Sequence, residues 1–257
     1  MNPIPVIGTA IVNSPHWITR LIDSIDYPVD NFVVFNNNGR GQITKELDEI
    51  IARPHPFIKQ QHVTHMPSNI GCPGAWNLII KSYVNAPYWI ISNHDIAFTP
   101  GFLQEMARLA EDSEVGMIHG SGGDFNDGGY DLFLIRDWVI RDYGLFDENI
   151  TPAYGEDVDY IMRLKHRPIK KIASVNLPYY HGDGFSYDSG QQTKKSEPEL
   201  EKKLNDVNLI NFEYLYEKWG PQWRMTWPYF HPFNKPDIPI TYTSYDIEYV
   251  RRKHLGF

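Results

Sequence analysis

The sequence predicts an α/β fold with a mainly parallel central sheet flanked by helices. Three observations carry that expectation. β-rich runs alternate with segments of helical apolar spacing over the first 110 or so residues. The connections between them are short, as in βαβ units. Three of the strand ends carry asparagine or acidic residues, at Asn13, Asn36 to Asn38, and Asn93 to Asp95. In such sheets ligands bind outside the carboxyl ends of the strands, so these three groups are expected at one edge.

Val6 to Val12 is β-rich, and Ser14-Pro15 opens a helix whose Ile18, Leu21, Ile22 and Ile25 fall at helical spacing. Phe32-Val33-Val34-Phe35 reads as a second strand, ended by the turn signal Asn36-Asn37-Asn38-Gly39. A second helix runs through Leu47, Ile50 and Ile51, and His62 to Met66 is a third strand. Pro73 to Val84 is helical, its proline near the first turn where a missing N–H costs little. Tyr88 to Ser92 is the fourth strand and Gly101 to Ala110 the next helix.

Beyond Gly120 the texture changes. Ser121-Gly122-Gly123-Asp124 and Asn126-Asp127-Gly128-Gly129 predict a mobile glycine-rich loop. Asp131 to Ile135 and Lys171 to Val175 are expected strands, with a helix near Asp157 to Leu164 between them. Glu197 to Trp219 is a charged amphipathic helix, and the Pro- and aromatic-rich tail to Phe257 is expected to wrap the same domain. The predicted organisation is therefore one domain over 1–195, with a helix and tail over 196–257 packed on it.

At 257 residues the chain can bury a sizeable core. A net charge of -8 argues against a nucleic-acid footprint, which needs a basic stripe, but leaves room for a nucleotide whose phosphates a divalent cation carries. The one cysteine, Cys72, excludes an intrachain disulfide and a cysteine-rich zinc site. Neither a signal-peptide pattern nor an apolar stretch of membrane-spanning length is present in the sequence, so the protein reads as soluble.

Two acidic motifs stand out. Asp95, in Asn93-His94-Asp95 at the end of an apolar strand, is a hard anionic ligand suited to Mg²⁺ or Mn²⁺ on phosphates, or else a turn cap before Thr99-Pro100-Gly101. His94 reads as structural. Gly155-Glu156-Asp157-Val158-Asp159 heads a helix, where acidic residues are favoured by the dipole alone. A general base needs a carboxylate held near an incoming hydroxyl, and Asp157 or Glu156 answers that need, with Asp159 facing elsewhere. His181, in the glycine-bearing run Tyr179-Tyr180-His181-Gly182-Asp183-Gly184, is a structural histidine or a metal or phosphate contact. The loop Asn69-Ile70-Gly71-Cys72-Pro73-Gly74-Ala75-Trp76-Asn77 runs into a helix whose free N–H groups would suit phosphate. Trp76 reads as core, and Trp219, Trp223, Trp227 and Tyr229 as packing residues or an acceptor-sugar platform.

In this order and spacing the motifs resemble those of the family 2 glycosyltransferases and their relatives of the GT-A fold, over roughly residues 4 to 187. Thr9-Ala10-Ile11-Val12-Asn13 is similar to the family's first strand, Val33 to Gly39 to its valine-rich strand and turn, and Asn69-x-Gly71-x-x-Gly74-x-x-Asn77 to its asparagine-glycine loop. Asn93-His94-Asp95 stands where the Asp-x-Asp metal motif falls, Gly144-Leu145-Phe146-Asp147-Glu148 and Gly155 to Arg163 in the acceptor and base region, and His181 with Ser186 at the late histidine loop. The resemblance implies inverting transfer from a nucleotide-sugar donor to a carbohydrate or glycoprotein acceptor. Asp95 and His181 would hold Mn²⁺ (or Mg²⁺), and Asp157, with Glu156 beside it, would deprotonate the acceptor. Thr9, Asn13, Asn36, Asn37, Asn38, Asn69, Gly74, Asn77 and Asn93 would face the donor.

Asn93 replaces the first acidic residue of the metal motif, and the asparagine turn replaces an acidic strand end, which leaves the nucleotide open; the resemblance implies a uridine diphosphate sugar by default, with a thymidine or guanosine one as the alternative. The chain also resembles soluble transferases of large DNA viruses or phages, implying a cytoplasmic setting. A nucleotidyltransferase would want a glycine-rich, arginine-bearing loop after the first strand, and Asn13-Ser14-Pro15-His16-Trp17 is not one. A non-catalytic carbohydrate-binding protein and a retaining transferase remain the alternatives.

Overall fold

The computed structural model describes residues 2–39, 41–120, 130–185, 192–221 and 227–253. The expected glycine-rich loop at 121–129, Ser186 and Trp223 lie outside them. Ten strands, β1 (Ile4–Ile11), β2 (Val29–Asn36), β3 (Ile58–His65), β4 (Tyr88–Asn93), β5 (Ile96–Phe98), β6 (Val115–His119), β7 (Leu132–Arg136), β8 (Lys171–Ser174), β9 (Tyr179–His181) and β10 (Gly184–Phe185), form two sheets among the described residues. The larger has seven strands in the order β3-β2-β1-β4-β7-β6-β8, and the smaller is β10-β9-β5. In the larger sheet β1, β2, β3 and β4 run parallel, β7 is antiparallel to both β4 and β6, and β8 is parallel to β6.

Strict alternation along the central strands explains their near-continuous apolar sequences. Phe32, Val34, Ile90, Leu132 and Leu134 enter one core, while Val33, Phe35, Trp89, Ile91, Phe133 and Ile135 enter the other. The first core is closed by helices α1 (His16–Asp23), α2 (Thr44–Ile51) and α4 (Phe102–Leu109), through residues such as Leu21, Leu47 and Met106. The second is closed by α3 (Gly71–Ser82), α5 (Asp137–Tyr143) and α6 (Glu156–His166), through Trp76, Val139 and Tyr160. Trp76 is therefore core, as expected, with Phe133 and Phe146 packed edge-on against it. At the closest approach of α3, a Cβ on Gly8 would stand 2.5 Å from Ile79, so only glycine fits there.

Helices α7 (Gln192–Ser196), α8 (Pro198–Trp219) and α9 (Ile247–Arg251) follow. Tyr214, Leu215 and the fully buried Trp219 of α8 pack with Ile150 and Met162, so Trp219 is a packing residue. Among the described residues no helix is long and apolar enough to cross a membrane.

Candidate active site

A cleft of about 610 Å³ opens at the carboxyl edge of the parallel strands. Ala10 lies near the end of β1 there with Val12 just beyond it, and Asn93 ends β4, with His94 and Asp95 following. Opposite, the cleft is bounded by Glu156 and Asp157 at the start of α6 and by residues of α7 and α8.

Strand pairing builds the first corner. β5 lies antiparallel to β9 with Ile96 opposite His181, and the Gly182 N–H donates to the Asp95 carbonyl at 2.8 Å. This sets His181 Nε2 3.4 Å from Asp95 Oδ1, while Nδ1 lies 3.3 Å from Asp131 Oδ2. The Asn93 amide nitrogen is 3.4 Å from the same Nε2. Burial disfavours the His181 cation, yet the Asp131 and Asp95 carboxylates outweigh it and push the imidazole up to about 9. Burial likewise opposes the Asp95 anion, but its hydrogen bond to His181 and the neighbouring imidazoles bring it down to about 2. His94 is buried, its Nε2 has no hydrogen-bond partner among the described residues, and burial lowers its pKa.

Among the described residues no group of three or more His, Cys, Asp or Glu is assembled as a metal site. The two nitrogens of His181 face carboxylates on opposite sides of the ring, so the three side chains do not converge on one point. Asp95 and His181 alone do fit a divalent cation. Their 3.4 Å spacing is near the roughly 2.9 Å between adjacent ligands of one octahedral ion, and carboxylate with imidazole suits Mn²⁺. Such an ion must displace the His181 proton.

The second corner is the N terminus of α6. Gly155, at φ 104°, turns the chain into the helix. Glu156 is 7% exposed with no hydrogen-bond partner for Oε2 among the described residues, and burial followed by the charge of Asp157 raises it to about 8. Asp157 is half-buried; its Oδ1 accepts the Val158 N–H at 2.8 Å, and burial raises its pKa. Asp159 faces the other way, as expected, and ion-pairs with Arg163 and, at 2.7 Å, with Lys218 of α8.

The asparagines divide. Asn37, Asn69 and Asn93 line the cleft. Thr9, Asn13, Asn36, Asn38, Gly74 and Asn77 are not among its lining residues. Asn36 pairs with His65 at 2.9 Å and accepts the Asn38 N–H, while Asn38 ties β2 to β1 through the Val12 carbonyl. Asn77 spends its amide on both backbone groups of Phe146 and on Glu148. Gly74 admits Ile70, whose Cβ would lie 3.4 Å from an added Cβ. Thr9 is wholly buried within β1, and Asn13 donates to the Thr193 carbonyl of α7 at 3.1 Å. Other cleft residues were not singled out from sequence: Asp131, Tyr154, Gln192 and Lys194. Asp131 announced itself only as the start of a strand, and the others carried no motif.

No protein-family profile matches the chain. A curated relative, a galactofuranosyl glycosyltransferase of Leishmania donovani, is 21% identical over 253 residues, covering 73% of this chain and 58% of the relative. Among solved structures, TarS of S. aureus superposes with a TM-score of 0.52 at 15% identity, over 69% of this chain and 36% of TarS. GalNAc-T7, solved with UDP, GalNAc and Mn²⁺, gives 0.51 at 12% identity, over 67% of this chain and 41% of its own. The fold is the GT-A fold. The chain spans less than two thirds of the length of these relatives.

Proposed function

We propose that the protein is a glycosyltransferase that moves a sugar from a nucleoside diphosphate sugar, a uridine diphosphate sugar by preference, to a hydroxyl of a carbohydrate or glycoprotein acceptor, with inversion. The observation that carries this reading is that one cleft holds both the Asp95–His181 pair and the Glu156–Asp157 pair. The GT-A fold and the galactofuranosyl glycosyltransferase relative support it.

Asp95 and His181 would hold Mn²⁺ or Mg²⁺, with Asn93 beside them. When bound, the ion supplies charge neutralisation to the departing diphosphate. Asn37 and Asn69 form part of the wall against which the donor lies. Asp157 accepts the proton of the acceptor hydroxyl; its Oδ1 is held by its own helix, and burial makes it a stronger base than an exposed aspartate. The acceptor oxygen then bonds to the anomeric carbon as the bond to the diphosphate oxygen breaks, and that electron pair leaves with the diphosphate. Glu156 stays protonated near neutral pH, which suits a hydrogen-bond donor rather than the base.

The test is a screen of UDP, dTDP and GDP sugars for hydrolysis with Mn²⁺ and with EDTA. Release of UDP from a UDP sugar, dependent on the metal, is expected. Absence of turnover with every donor, together with no UDP binding by calorimetry, would sink the assignment; UDP binding without turnover would leave a non-catalytic binder.

A further inference from the structure

We propose that Asn211, a residue of α8 distant in sequence from the motifs of the cleft, is a positioning residue for the wall that carries Asp157, and that Lys253 of the C-terminal tail holds it in place. The catalytic half of this inference rests on the transferase reading.

Asn211 is fully buried. Its amide nitrogen donates to two consecutive carbonyls, Ala153 at 2.9 Å and Tyr154 at 3.0 Å. Its oxygen accepts from Lys253 Nζ at 2.7 Å, and the same nitrogen donates to the Asn149 carbonyl. Ala153 and Tyr154 both line the cleft, and Gly155 and α6 follow at once. The backbone here is unusual for its residues: Tyr154, with a bulky side chain, sits at φ 73°, followed by Gly155 at 104°. A bulky residue in the left-handed region is held only where the surroundings over-determine it, whereas glycine adopts that region freely. Asn211 supplies that determination from one side, and Leu215, one turn on, supplies it by packing: a Cβ on Gly155 would meet Leu215 at 3.0 Å.

The chemistry of the side chain is specific. An amide offers two N–H donors to the carbonyls and one acceptor to Lys253 Nζ, and a carboxylate of the same shape offers only the acceptor. Tyr154 in this position presents its ring to the cleft, where Lys194 Nζ lies 4.4 Å from the ring centroid and Leu200 and Leu204 pack beside it. The tail thus reaches Asp157 through Lys253, Asn211 and the Ala153–Gly155 backbone.

Asn211→Asp keeps the Lys253 bond and removes both donors, setting a carboxylate against two carbonyl oxygens. Lys253→Met keeps the donors and releases the amide's orientation. Both are tested in the full chain by hydrogen exchange at residues 153–158, by kcat with the donor found above, and by UDP calorimetry. Faster exchange confined to 153–158 is expected in both variants. For Asn211→Asp, kcat is expected to fall about a hundredfold, the cost of a reacting group displaced by about 1 Å, with UDP affinity changed less than about threefold, because the Asp95 wall is untouched. Lys253→Met moves the same way by a smaller factor, and carries the test if Asn211→Asp fails to fold. Unchanged local exchange, or exchange raised uniformly over the chain with kcat retained, overturns the proposal. A wild-type protein without turnover whose variants still loosen 153–158 removes the transferase reading and leaves the positioning intact.

Discussion

Lys218 Nζ of α8 lies 2.7 Å from Asp159 Oδ1 of α6 and 2.6 Å from Asp147 Oδ2, with all three side chains closed to solvent. Trp219 Nε1 donates to the same Asp159 oxygen at 2.9 Å, and Tyr214 donates to Asp147. A single ammonium therefore joins the helix that bears Asp157 to the one that bears Asn211. Deleting Lys218 leaves Asp147 buried without its cation, while Asp159 keeps Arg163, and breaking a buried pair costs about 3–5 kcal/mol. Lys218→Met is accordingly expected to lower the urea-unfolding free energy by that amount at neutral pH. A loss below about 0.5 kcal/mol, the size of an ordinary surface change, would show that the pairing contributes little.

Glu156 links stability to pH. In the folded protein it keeps its proton up to about pH 8, whereas an unfolded glutamate releases it near 4.3. Between those values the native state binds more protons than the unfolded chain, so stability falls as pH rises, and the loss is complete above about pH 8. Glu156→Gln removes the titration while keeping the shape. Its urea midpoint should exceed that of the wild type at pH 8, and the gap should close toward pH 4.5. A gap that does not vary with pH would place the effect elsewhere.

Much of the scaffold was legible in the sequence because its central strands are covered on both faces. Val33-Val34-Phe35 and Trp89-Ile90-Ile91 read as strands from apolar content alone, and alternation decides which core each side chain enters. β6 and the three short strands of the second sheet went unread. Their pairing, and the antiparallel insertion of β7 beside β4, are decided by contacts distant in sequence. The same holds for the site. Asp95, His181 and Asp157 carry local motifs and are found in the cleft, but Asp131 joins His181 only because the Asn93 N–H bonds its carbonyl across the β4–β7 edge. Conversely, asparagine at a strand end has two readings that sequence does not separate. Asn37 reaches the cleft, while Asn36 and Asn38 hold neighbouring backbone and side chains.

Asp157 is the group whose removal should separate binding from chemistry. Asp157→Asn preserves size and the acceptor for the Val158 N–H but has no basic oxygen. Loss of a positioned base typically costs about 10²–10⁴-fold in rate. Transfer is expected to drop within that range in steady-state assays, with the UDP dissociation constant within a few-fold by calorimetry. Turnover at the wild-type rate would take Asp157 out of the base role and return Glu156 to consideration.

Asp95 should govern the metal dependence of donor binding and leave the metal-free component of affinity standing. It is 2% exposed, and its partners are His181 and the Gln192 N–H, so truncation removes the pairing with His181 but leaves Asp131 beside the other ring nitrogen. In the wild type, UDP is expected to bind more tightly with Mn²⁺ than with EDTA, because a cation held by Asp95 and His181 would neutralise the diphosphate charge. Asp95→Ala should reduce that difference at least about tenfold, the effect that loss of even an outer partner of a metal site produces. His181 provides the control. Its ring would remain as a lone ligand in Asp95→Ala, so the double variant with His181→Ala should abolish whatever metal response survives. If Asp95→Ala binds UDP with wild-type affinity in Mn²⁺, the ion is held elsewhere, and the 3.4 Å pair is a structural contact between the two sheets.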